Sequence, residues 1–134
     1  MIQVYSSDVT VDANGVFPLN SIRVNKGSYA ELVGSAIQLD KCGVYMVEVD
    51  ASLTPSAAGT VGIQMFKDGV AQPQAYSYFT GAVDTAGSAS FMTYVQVPQN
   101  NSPCCCSSPT FVTINNVSEE SVTGRINVCV SKIC

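Results

Sequence analysis

The chain has 134 residues, of which 46% are apolar and only 12% charged, with a net charge of −4 and no histidine. That length is one domain's worth, and the apolar share suffices for a core without metals or disulfides. Six scattered bases (Arg23, Lys26, Lys41, Lys67, Arg125 and Lys132) make no stripe that could neutralise a phosphate backbone, and no apolar run approaches the ~18 residues that cross a bilayer, so neither nucleic acid nor membrane insertion is expected.

The opening "MIQVYSSDVTVD" lacks the basic start and apolar run of a signal peptide. Residues 1–14 read as an N-terminal arm or a first strand, with "DVTVD" as the strand candidate. Asp8 and Asp12 flank it, but the spacing of a calcium loop is missing, so "VDANG" reads as a tight turn with positive φ at Asn14-Gly15. "VFPLN" is the next strand candidate, and "GSYAELVGSAI" comes nearest to a helix. Gly27 and Gly34 bracket that segment too tightly for more than one short turn.

From "AIQLD" onward the apolar period is two. "CGVYMVEVDASL" puts Tyr45, Val47 and Val49 on one face and Met46, Glu48 and Asp50 on the other, as a half-buried strand requires. "TVGIQMFKDGV" repeats the pattern with Val61, Ile63 and Met65, and Lys67-Asp68-Gly69 predicts a hairpin into "VAQPQAYSYF". "SASFMTYVQV", "TFVTINN" and "VTGRINVCVSKI" complete the set. Short strands with Gly, Pro, Asn and Ser between them, roughly 10 residues apart, predict a single all-β sandwich or barrel over residues 1–134.

Without histidine, Ser-His-Asp and Cys-His nucleophiles and every His-containing metal site are excluded. The adjacent pair Glu119 and Glu120 falls in a predicted turn, where both carboxylates are solvated and poorly suited to acid–base work. No phosphate-cradling loop is present. The expectation is a protein that is not an enzyme and holds no cofactor. Asn116-Val117-Ser118 is a glycan acceptor sequence, which matters only in a eukaryotic secreted protein. Tyr76 and Tyr78 share one face of a strand, either as a platform for a carbohydrate or receptor or as a core or intersubunit stripe.

The six cysteines are Cys42, Cys104, Cys105, Cys106, Cys129 and Cys134. Adjacent cysteines point apart in an extended chain, so "NSPCCCSSP" makes a poor zinc site within one chain. No helix start or nearby cation lowers a thiol pKa there. Cys129 lies on the strand face opposite Ile126, Val128 and Val130, available to a loop or a second chain. The preferred reading pairs the loop cysteines with Cys129, Cys134 or Cys42; free thiols and a metal shared between subunits stay open.

The order "VFPLN", "AIQLDKCGVYMVEVDASL", "GTVGIQMFKDGVAQ", "GSASFMTYVQV" and a closing apolar strand resembles the C1q/TNF-like jelly roll. Gly43-Val44-Tyr45 matches that family's Gly-x-Tyr strand start, and Lys67-Asp68-Gly69 its hairpin; the likeness spans roughly residues 15 to 133. It implies an antiparallel jelly-roll sandwich assembled as a homotrimer around a threefold axis of aromatic and aliphatic residues, which fits the low charge. With neither a collagen-like stem nor a leader in the sequence, it most resembles the small bacteriophage type. The implied role is a virion structural protein, a capsid decoration, head fibre or receptor-binding fibre head, with capsid or fibre proteins and host surface glycan as partners. The alternative is an extracellular trimeric ligand or lectin of the same fold.

Overall fold

In the computed structural model, which describes residues 1–98 and 109–134, the described residues form ten strands. These are β1 (Ile2–Val11), β2 (Ser21–Asn25), β3 (Ala30–Val33), β4 (Ala36–Leu39), β5 (Gly43–Pro55), β6 (Gly59–Lys67), β7 (Val70–Gly81), β8 (Gly87–Val97), β9 (Thr110–Asn116) and β10 (Val122–Lys132). They pair antiparallel in two five-stranded sheets, ordered β2-β1-β10-β5-β8 and β3-β4-β9-β6-β7. The chain is an all-β jelly-roll sandwich.

Period-two patterning builds both inner faces. Tyr45, Val47, Val49, Ala51 and Leu53 of β5 point inward, as do Ile126, Val128 and Val130 of β10. The second sheet answers with Val61, Ile63 and Met65 of β6 and Val112 and Ile114 of β9. Each buried Val, Ile, Leu or Met side chain contributes about 1.5–3 kcal/mol relative to exposure, and together these residues form one continuous core.

The hairpin at Lys67–Gly69 is present: Lys67 pairs with Val70, and Asp68 and Gly69 take positive φ of 51° and 82°, which a two-residue turn of the right twist demands. The positive φ expected in the "VDANG" turn sits on Asn14, at 66°. Two expectations are corrected. "VFPLN" is not a strand: Val16 makes a single bridge to Asn115, Pro18 has no N–H to give a ladder, and Phe17 and Leu19 instead fill the core from an irregular segment. "GSYAELVGSAI" is a hairpin rather than a turn, β3 against β4, because Gly34 at φ 61° supplies the reversal between Val33 and Ala36.

The register defines two poles. Ile2 pairs with Val130, Gly43 with Val97 and Ala30 with Leu39, so both chain ends, Cys42, Cys134 and the strand ends Val97 and Thr110 lie at one pole. There Lys67 Nζ ties the sheets by donating to the carbonyl of Gln96 at 2.9 Å. Val11, Pro55, Gly87 and Asn116 mark the opposite pole.

Candidate functional site

The outer face of the β2-β1-β10-β5-β8 sheet carries most of the chain's unusual surface. Along β5 and β8, Met46 stands opposite Tyr94 and Glu48 opposite Met92; Met92 and Tyr94 are 51% and 55% exposed. Along β1 and β10, Gln3 stands opposite Cys129 and Tyr5 opposite Asn127, and Gln3 Nε2 donates to Asn127 Oδ1 at 2.9 Å. Two clefts open on this face. One, of about 410 Å³, lies over β1, β2 and β10; the other, of about 420 Å³, lies over β10, β5 and β8, and Asp50 and Asn127 belong to both walls.

Two bulges shape the first cleft. In β1 the pairing steps from Ser6–Ile126 to Val9–Gly124, so Ser7 and Asp8 together oppose Arg125, with Asp8 at φ 51°. In β2 the pairing steps from Gln3–Val24 to Val4–Ile22, leaving Arg23 as the extra residue. A bulge bends its strand and re-aims the neighbouring side chains. A tight backbone crossing sits beside them: a Cβ at Gly124 would run into the carbonyl oxygen of Ser52 on β5. Sequence patterning lists Arg23 and Arg125 only as scattered bases, because an alternation count has no signal for an inserted residue.

Tyr76 and Tyr78 project together from the outer face of the other sheet, as the alternation predicts. Their rings are 5.4 Å apart and tilted by 35°, and Tyr78 is 64% exposed, so they are not a core stripe. Tyr76 lies over Gly62, where an added Cβ would come within 3.2 Å of its hydroxyl.

Among the described residues Cys42, Cys129 and Cys134 form no disulfide. The pairing expected for them involves Cys104, Cys105 and Cys106, which lie outside the described residues. Cys129, outward on β10, is half-buried; burial and then the Glu48 carboxylate raise its thiol pKa. That is the opposite of what a reactive nucleophile needs. Among the described residues no three His, Cys, Asp or Glu side chains gather to hold a metal ion.

Glu119 and Glu120 are exposed. Asn116 of the glycan acceptor sequence is wholly buried at the pole opposite the chain ends, with Nδ2 donating to the carbonyls of Val11, Asp12 and Glu120 at 3.0 to 3.2 Å. Its amide is a structural tie, closed to a glycan in the folded chain.

No family model matches the chain, and no curated protein matches its sequence. Solved structures do match its fold. Eiger TNF from S. frugiperda superposes with a TM-score of 0.71 at 11% identity, over 99% of this chain and 92% of that one. The globular domain of zebrafish complement 1qA gives 0.65 at 10% identity, over 96% and 94%. The PRD1 vertex protein P5 gives 0.62 at 14% identity, over 99% and 96%. The fold is therefore a jelly-roll sandwich like those of these TNF and C1q structures.

Proposed function

We propose that this chain is a non-enzymatic structural protein of a virion, a capsid decoration, head fibre or receptor-binding fibre head, that works as a homotrimer. The observation that carries the virion reading is the match over nearly the full length of both chains to a vertex protein. Trimer formation is supported by the outer face of β5 and β8, where Met46, Met92 and Tyr94 lie side by side. Methionine and tyrosine are enriched at subunit contacts, and lysine is depleted. Glu48 and Asp50 share that face and belong at the rim of the contact, where charge keeps its water. The role of such a trimer is to present loops and outer faces to a capsid, a fibre or a host surface glycan, with Tyr76 and Tyr78 as an aromatic platform on the opposite sheet.

A second reading, a secreted trimeric ligand or lectin, draws on the likeness to Eiger TNF and complement 1qA, whose TM-scores of 0.71 and 0.65 stand beside 0.62 for the vertex protein. Native mass spectrometry tests the assembly common to both: the expected mass is three times the 14.1 kDa chain, falling to one chain in a Met92→Lys, Tyr94→Asp double variant that remains folded. A wild-type monomer at all concentrations overturns the trimer. Peptide mass spectrometry on purified particles separates the two readings: the chain is recovered as a stoichiometric component if it is structural, and found only in the medium if it is a ligand.

A further inference from the structure

We propose that the cleft over β1, β2 and β10 is a binding site for an acidic sugar, whose carboxylate is held by Arg23 and Arg125. These are the chain's two arginines, and both line this cleft. Neither guanidinium has a hydrogen-bond or ion-pair partner among the described residues, although Asp50 shares the wall. Two separate bulges put them there, Arg23 as the inserted residue of β2 and Arg125 as the residue facing the doubled step in β1. Such irregularities cost ladder hydrogen bonds, and they persist where a side chain must be aimed. A pair of unpaired guanidiniums in a chain of net charge −4 is a ready receptor for a carboxylate, which matches the planar donor fork.

The rest of the wall selects a sugar over a bare anion. Asp50 repels a densely charged ion but accepts hydrogen bonds from hydroxyls. The Gln3–Asn127 bond uses one donor and one acceptor, leaving Gln3 Oε1 and Asn127 Nδ2 for two more hydroxyls. Tyr5, 39% exposed, supplies a flat apolar face for the ring. At about 410 Å³ the cleft falls in the small-ligand range of roughly 300–1,000 Å³. Every wall residue comes from one chain; β8, which carries Met92 and Tyr94 of the proposed subunit contact, lies three strand spacings from β1, about 14 Å away, while Asp50 of β5 belongs both to the cleft wall and to the rim of that contact. Arg23 and Arg125 themselves lie on β2 and β10, outside that contact, so their variants report on the cleft and native mass reports on assembly.

Calorimetric titration of the intact protein with glucuronate and N-acetylneuraminate, against glucose and inorganic phosphate, tests it. Saturable binding of an acidic sugar is expected, weakened about tenfold or more in Arg23→Gln and in Arg125→Gln, the loss of one charge-assisted contact, and unchanged in Lys26→Gln. Native mass read on the same samples keeps assembly separate from binding. The proposal is overturned if neither acidic sugar binds, if glucose binds as well, or if phosphate alone binds as tightly. It is also overturned if the arginine variants bind unchanged, or if they lose assembly instead of sugar, which would pair the guanidiniums with a second copy of the chain.

Discussion

The side-chain amide of Asn116 donates to the main-chain carbonyl of Val11 at 3.0 Å, joining residues 105 positions apart. The same nitrogen reaches the carbonyls of Asp12 and Glu120, while Oδ1 accepts from the Ser118 amide at 3.0 Å. One buried side chain thus closes the end of β1 and the β9–β10 turn. Asn116→Ala leaves these groups unmet and is expected to cost about 2–4 kcal/mol in urea denaturation. Asn116→Asp costs more, because a carboxylate then faces three carbonyl oxygens; an Asp variant as stable as the wild type would refute this account.

Tyr45 is wholly buried, and its hydroxyl donates to the carbonyl of Lys41 at 2.6 Å. Burial first, then the charge of Asp40, raises its pKa above the ordinary 10.0. The folded state therefore holds the phenolic proton more tightly than the unfolded chain. Its contribution to stability is complete below pH 10 and is lost as pH rises through the raised folded value. Melting temperatures followed through that alkaline range should fall more gently for Tyr45→Phe than for the wild type. At neutral pH the variant should be less stable by about 1 kcal/mol, the worth of the lost hydrogen bond.

Cys129 and Cys134 offer a comparison within one molecule. Cys134 is exposed, whereas Cys129 is half-buried beside Glu48 with its thiol pKa raised. Alkylation by iodoacetamide at neutral pH, mapped by peptide mass spectrometry, should modify Cys134 well before Cys129, since the thiolate is the reacting form. Glu48→Gln should speed labelling at Cys129 alone. Equal rates at the two sites in the wild type would contradict the shift.

Most of the core was legible in the sequence because its rule is simple. The alternation in "CGVYMVEVDASL" separates Tyr45, Val47 and Val49 from Glu48 and Asp50 just as the sheet does. "VFPLN" misleads because Phe17 and Leu19 have the spacing of a strand and are buried like one, yet proline breaks the ladder that would make them one. β2 escaped notice for the opposite reason: a short edge strand with mostly exposed residues has no buried face to impose a pattern. The cleft was hidden more deeply. Arg23 and Arg125 are 102 positions apart and line one cleft only because β1 pairs with both β2 and β10, and the bulges that aim them depend on register, which composition does not record.

The pairing of Ile2 with Val130 has a mechanical consequence. β1 and β10 are neighbours whose outer ends leave the same pole, so tension applied between those two ends peels β1 from β10 rung by rung instead of shearing the whole ladder at once. Each rung then bears the load alone, and the pair opens at low force. Tension transmitted through a single end, with the sandwich gripped on a face, meets many rungs in parallel, and that is the direction in which this domain resists being pulled apart.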